Sequence, residues 1–234
     1  MIKKILHQIS NTIFPKMCIG CMERSIPNDQ GHFCVYCLSE IPFTDHFSSP
    51  NQNLMCERLY GRLPVNFAVA LLYFSEGNIV QNMMHLFKYK SEIYIGQQLG
   101  DIIGSRIMEG TITSIPEIVL PVPMHAQKKL VKGFNQSAII GQRIAEKIGA
   151  SFSDDFLVKI IPTSSQTSKN KMERMDNLRH TFSITPEGIE AIKDKHILIV
   201  DDTVTTGATV EACGKLILKN GAKEISVACA ALAY

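Results

Sequence analysis

The chain has 234 residues, 45% of them hydrophobic and 20% charged, and a net charge of only +2. That balance excludes a disordered chain, and a chain of this size buries roughly 70% of its unfolded surface, so a core needs no disulfides. No apolar run reaches the ~18 residues of a membrane-spanning helix, which leaves an ordinary globular protein of one or two domains.

Charge is unevenly spread. Residues 1–60 and 61–119 are close to neutral, residues 120–180 carry ten basic against five acidic groups, and residues 181–234 carry five against seven. A basic middle suits an anionic ligand, and an acidic end suits hydroxyls or a metal. A solvated surface is the plain alternative for charge bias alone.

Taken in chain order, Ile2, Ile5, Leu6, Ile9 and Ile13 keep helical spacing and Pro15 closes them, which predicts a short amphipathic helix. His7, Gln8, Ser10 and Asn11 interrupt the apolar stretch before a signal-peptide core can form. The chain is therefore expected in the cytoplasm, with this helix packed on the protein's own body rather than on a membrane. Residues 16–60 hold five of the seven cysteines and few periodic runs. Such a segment cannot build a core by itself and needs a staple.

Cys18-x-x-Cys21 and Cys34-x-x-Cys37 supply one. The two pairs are 12 residues apart, each offers two thiolates from one tight turn, and four sulfurs in a tetrahedron are what Zn²⁺ accepts. Two disulfides are the rival reading, disfavoured in a reducing cytoplasm. Four thiolates close the site, so the zinc is expected to be structural, with His32 not needed as a ligand. Cys56 is left over, and Cys213 and Cys229 read as small buried residues. Residues 1–60 are thus expected to form a helix and a small four-cysteine, zinc-ribbon-like domain, and residues 61–234 a second domain.

From about residue 66 strands alternate with helices. Phe67 to Phe74 reads as a buried strand; residues 79–87 and 95–107 read as helices; Ile118 to Val122 is a second strand. A helix over 135–148, a third strand over 156–161, a long polar loop over 162–179 and a fourth strand over 196–200 follow. A helix over 208–220 with Gly221 at its end and a strand over 225–231 complete the pattern. Alternation of this kind predicts an α/β fold with a parallel sheet flanked by helices. A loop as long as 162–179 inside a compact domain is more often functional than idle.

The most informative stretch is Ile197-Leu-Ile-Val-Asp201-Asp202-Thr203-Val-Thr205-Thr206-Gly207-Ala208-Thr209. A buried strand ends in two carboxylates, a threonine-glycine loop follows, and a helix begins. Open α/β sheets bind ligands at the carboxyl ends of their strands. Backbone N–H groups of the loop, the hydroxyls of Thr205, Thr206 and Thr209 and the positive end of the helix converge there, which makes a phosphate cradle. Asp201 and Asp202 are placed to accept hydrogen bonds from vicinal hydroxyls. Together they describe a seat for a sugar phosphate. No G-x-x-x-x-G-K-[ST] string exists, which excludes a P-loop.

A second loop is cationic. Lys128, Lys129 and Lys132 fall within five residues, Gly133 loosens the backbone, and Asn135 and Gln136 open a helix. Cations beside a helix N-terminus suit a diphosphate; an exposed basic turn is the alternative. Arg174 and Arg179 on the long polar loop are either a lid over bound ligand or surface arginines.

Taken together, these motifs resemble the phosphoribosyl pyrophosphate (PRPP) signature of type I phosphoribosyltransferases, and within them the ComF/GntX family of competence-associated proteins. The likeness rests on the four-cysteine knuckle, Phe87-Lys88-Tyr89, Pro121-Val122-Pro123 followed by Lys132-Gly133-Phe134-Asn135-Gln136, and the spaced set Gln166, Arg174, Asn177 and Phe182. The resemblance implies a type I phosphoribosyltransferase-like sheet and a Mg²⁺-dependent transfer of phosphoribosyl from PRPP with release of pyrophosphate. It implies Asp201 and Asp202 on the ribose hydroxyls or on Mg²⁺, and Thr203, Thr205, Thr206, Gly207, Ala208 and Thr209 around the 5′-phosphate. The residues from Lys128 to Gln136, with Arg174, would face the pyrophosphate. The family usually has Arg where this chain has Lys132, which keeps the charge but loses the bidentate fork. The acceptor is not implied. The competence link implies single-stranded DNA or the DNA-uptake machinery as an alternative partner, with PRPP binding regulatory or vestigial; against it, residues 1–60 lack a basic stripe.

Overall fold

The computed structural model describes residues 17–26, 32–89, 92–109, 111–160 and 181–234. The amphipathic helix expected over Ile2 to Ile13 and the polar loop with Gln166, Arg174, Asn177 and Arg179 lie outside the described residues. In chain order the elements are α1 (Val35–Glu40), α2 (Leu54–Leu59), β1 (Ala68–Phe74), α3 (Ile79–Tyr89), α4 (Ile93–Glu109), β2 (Ile118–Pro121), α5 (Ala126–Lys132), α6 (Gln136–Ile148), β3 (Ser151–Phe152), β4 (Leu157–Lys159), β5 (Phe182–Ile184), α7 (Pro186–Ile192), β6 (His196–Val204), α8 (Ala208–Lys219) and β7 (Glu224–Ala233).

Five strands form one sheet in the order β1-β7-β6-β2-β3, every pairing parallel. The runs AVALLYF and HILIV have no polar face because parallel strands are covered on both sides. Alternation along β6 sends Leu198 and Val200 into one apolar layer, with α3, α4 and α6, and Ile197 and Ile199 into the other, with α8. The cysteine knuckle joins the first layer: Cys18, Ile19, Phe33 and Cys37 pack in one cluster with Val80, Met83 and Phe87.

Two expectations need correction. The third strand of the sheet is not 156–161 but the two-residue β3, where Ile118 faces Ser151 and Val119 faces Phe152. Residues 157–159 form β4, which pairs antiparallel with β5 outside the main sheet. A two-residue edge strand is too short to carry a signal, whereas the mostly apolar run Phe156-Leu-Val-Lys-Ile reads as a strand. The fourth strand does not stop at the acids either: β6 runs to Val204, with Asp201 opposite Cys229 and Thr203 opposite Ala231.

One helix contact sets the position of the site. Helices α4 and α6 meet through Gly96, Gly100 and Gly104. A Cβ on Gly100 would lie 2.6 Å from the Ile140 carbonyl oxygen, and one on Gly104 would lie 2.5 Å from Lys147 Cβ. Backbone-to-backbone approach of this kind tolerates no side chain, and it fixes where the N-terminus of α6 lies. That terminus is capped by Asn135, whose Oδ1 accepts from Ser137 N at 3.2 Å and whose Nδ2 donates to the Val122 carbonyl at 3.0 Å.

Candidate functional site

The site lies at the carboxyl end of β6. Asp201 and residues 203–210 line an open concavity. Gly207 takes φ of +75°, where a Cβ would be strained, and starts α8 with no side-chain cap. The Ala208 N–H reaches the Thr206 hydroxyl at 3.4 Å, and Gly207 offers no side chain to cap the N–H groups that follow in this 12-residue helix, which begins at the concavity. Thr205 and Thr206 are exposed at the rim, and Thr203 and Thr209 are half-buried.

The outer side of this loop is held by two arginines of α2 and the turn after it. Arg58 donates to the carbonyls of Thr205 and Ala233. Arg62 donates to the Thr206 carbonyl at 2.8 Å and, through Nε, to Glu211 at 2.8 Å. A trans peptide sets N–H opposite C=O, so the N–H groups of Thr206 and Gly207 point away from the guanidiniums. Lys215 closes on the other carboxylate oxygen of Glu211 at 2.7 Å. Burial raises the Glu211 carboxyl, but Lys215 and Arg62 outweigh it and hold it below its ordinary value.

The acid pair is asymmetric. Asp201 Oδ1 accepts from Ser137 Oγ at 3.0 Å and from the Asp202 N–H at 2.9 Å. Asp202 Oδ2 lies 3.1 Å from Lys88 Nζ, and the same ammonium is 3.2 Å from Thr203 Oγ1. Burial and then the charge of Asp202 push Asp201 up to about 7; Ser137, the Asp202 N–H and Lys88 pull against them. One carboxylate of the pair is thus able to carry a proton near neutrality while its neighbour faces a cation.

The cationic loop is a short helix, α5, not an open turn. Lys129 pairs with Asp154 at 3.1 Å. Lys128 stands near Lys159, a half-buried lysine whose pKa is lowered by burial first and by Lys128 second. Gly133 takes φ of +84° and ends the helix. Asn135 and Gln136 turn inward: Asn135 is consumed by capping, and Gln136 Nε2 is buried without a hydrogen-bond partner among the described residues. Arg174 lies outside the described residues. Sequence patterns alone gave no role to Lys88, Ser137, Arg58 or Arg62. Lys88 does lie inside the Phe87-Lys88-Tyr89 motif, and Ser137 directly follows Asn135-Gln136.

The four cysteine sulfurs of the knuckle, Cys18, Cys21, Cys34 and Cys37, lie within 4.8 Å of one another. A tetrahedron of Zn–S bonds near ~2.3 Å sets its sulfurs about 3.8 Å apart, inside that bound, so the donor set fits zinc. Backbone N–H groups already serve the sulfurs: Cys34 N donates to Cys18 Sγ at 3.2 Å and Cys37 N to Cys34 Sγ at 3.5 Å. Burial raises the Cys34 thiol, yet the Cys37 N–H, the Cys37 and Cys18 thiols and the guanidinium of Arg24 overcome it and bring it down to about 6. Cys56 is half-buried and donates to the Pro50 carbonyl, while Cys213 and Cys229 are buried.

Residues 135–233 match the family model of the phosphoribosyl transferase domain. The match covers less than half of the chain. It spans the cap of α6, the acid pair and the threonine-glycine loop. This match agrees with the resemblance carried by the motifs, and two named relatives are similar as well. DNA utilization protein YhgH of Salmonella typhimurium is 27% identical over 150 residues, covering 63% of this chain and 64% of that protein. Competence protein F of Haemophilus influenzae is 24% identical over 148 residues, covering 62% and 64%. The chain thus matches less than two thirds of the length of these relatives. Among solved structures, adenine phosphoribosyltransferase of Saccharomyces cerevisiae is similar at 16% identity and a TM-score of 0.40, over 64% of this chain and 74% of that one. No helix among the described residues is long and apolar enough to cross a membrane.

Proposed function

We propose that this chain binds PRPP, or a related ribose 5-phosphate ligand, and transfers its phosphoribosyl group. The observation that carries the reading is the glycine-started N-terminus of α8, with no side chain on its cap residue, opening on a concavity that also holds Asp201. A 5′-phosphate fits the loop 203–209, where helix N–H groups and threonine hydroxyls serve its oxygens. Asp201 and Asp202 take the ribose hydroxyls. The diphosphate would then lie toward Lys128, Lys129, Lys132, Gly133, Asn135 and Gln136, with Arg174 as a further candidate. Residues 1–60 are read as the metal-stapled part and 61–234 as the transferase part.

In the reaction the C1–O bond breaks and its electron pair leaves with pyrophosphate. An acceptor's lone pair then bonds to C1, and the acceptor's proton is released. Charge on the ring is favoured by the adjacent carboxylates. With Ser137 on Asp201 and Lys88 on Asp202, the acids do not form an open cage for a lone ion. A Mg²⁺ fits only with ligand oxygens completing its shell, and when bound it supplies charge neutralisation to the leaving diphosphate. Calorimetry with PRPP and Mg²⁺ tests this reading. Binding should be lost in Asp201→Asn and Asp202→Asn, and a wild type that does not bind PRPP ends the proposal.

A second reading is favoured by the names of the relatives: a factor that handles single-stranded DNA during uptake, with PRPP as regulator. It predicts a gel shift that weakens as salt rises. No shift at low salt removes it.

A further inference from the structure

We propose that Lys88 is the resident cation of the acid pair, and that it is handed from Asp202 to the diphosphate when a ribose ligand arrives. The inference rests on the phosphoribosyl reading and adds to it a residue outside the matched domain. Lys88 is in the last turn of α3, where a lysine normally serves only the helix dipole. Here it reaches 115 positions along the chain to lie 3.2 Å from Thr203 Oγ1 and 3.1 Å from Asp202 Oδ2. Both are groups that the ligand itself would use.

The end of α3 is held in place for this. Phe87 is fully buried, and its ring lies 6.0 Å from that of Phe134. Phe134 sits between α5, which carries the lysines, and α6, which carries Ser137. Lys88 therefore projects from an anchored backbone onto Asp202 and Thr203. An ammonium on a flexible stem moves between two anions without rebuilding its surroundings, which a guanidinium fork does less readily. Lys129, by contrast, is already paired with Asp154.

Ribose hydroxyls that take Asp202 displace the ammonium, and the diphosphate is the nearest new counter-charge. Lys88 then neutralises the leaving group, and only a ligand bearing that group recovers the lost ion pair. The device discriminates PRPP from ribose 5-phosphate.

The test compares wild type with Lys88→Met by calorimetry, with PRPP and with ribose 5-phosphate as probes. The variant should bind PRPP at least about tenfold more weakly, as expected for a lost charge-assisted hydrogen bond, and ribose 5-phosphate as well as wild type or better. Equal losses for both ligands would mean a merely structural counter-ion and overturn the proposal, as would no change for either. Should Lys88→Met fail to melt cooperatively, Lys88→Gln, which still donates to Asp202 and Thr203 but lacks the charge, gives the same reading.

A ligand-free readout separates this from the phosphoribosyl reading. The groups facing the acids are Lys88 from α3, Ser137 from α6, Lys159 from β4, Cys213 from α8 and Cys229 from β7. Removing the Lys88 charge should raise the pH at which the pair takes up its proton by about one unit, followed by carboxyl NMR shifts. No movement overturns the resident-cation role. If wild type binds neither probe, the phosphoribosyl reading and the hand-over fall together, and the titration alone decides whether Lys88 is the pair's cation.

Discussion

Arg62 and Thr206 are 144 residues apart, yet the Arg62 guanidinium holds the Thr206 carbonyl at 2.8 Å while it also grips Glu211. The loop that forms the concavity is thus shaped from outside by a residue of the turn after α2. Arg62→Ala should lower stability by about 1–2 kcal/mol, because Glu211 keeps Lys215 but loses its second partner. Affinity for PRPP should fall by more than this stability loss explains, since the loop's N–H groups lose their orientation. Thermal melts and calorimetry on one preparation check both. An unchanged affinity would show that the loop keeps its shape without Arg62.

The Asp201 pKa gives a prediction with a definite sign. It is raised in the folded chain to about 7 from an ordinary 3.8, so the folded state binds the extra proton between those values. The stability tied to that proton is complete below the unfolded value and is lost as pH rises through about 7. Asp201→Asn should therefore raise the melting temperature of the ligand-free protein at pH 8 and change it little at pH 3.5, while binding of PRPP disappears at both. Equal effects on melting at the two pH values would contradict a buried proton on Asp201.

The glycine contact between α4 and α6 predicts a steep local difference. Gly100→Ala puts a methyl 2.6 Å from a backbone oxygen, whereas Gly141→Ala meets nothing nearer than the Phe152 ring at 3.3 Å. The first should cost about 2 kcal/mol or more and the second about 1 kcal/mol or less. Denaturant titrations measure both. Gly100→Ala should also weaken PRPP binding, because α6 carries Ser137 to Asp201.

The knuckle shares its apolar cluster with Val80, Met83 and Phe87, so metal loss should reach the whole chain. Purified protein is expected to carry a single zinc, measured by elemental analysis. A strong chelator should lower the melting temperature of the cooperative transition rather than release a local one. Cys37→Ser should reproduce that loss. A metal-free protein with unchanged melting would show the four cysteines to be packing only.

Two kinds of information divide here. The run of apolar residues in β1, the 3.6-residue spacing of α3, α4 and α6, the two Cys-x-x-Cys turns and the acids before Thr203 are local patterns, set by strand and helix geometry within a few residues. They were legible in the amino-acid string, and with them the parallel sheet, the four-cysteine cluster and the place of the proposed sugar-phosphate seat. What the string left open are pairings between distant segments: β3 on β2, β4 on β5, Lys88 on Asp202, Ser137 on Asp201, and Arg58 and Arg62 on the threonine loop. A lysine in a last helical turn, or an arginine near a short helix, carries no local mark of its partner. Only the tertiary placement of α3 and α2 decides which charge it meets, because electrostatic and hydrogen-bond partners are chosen by distance in space and not by spacing along the chain.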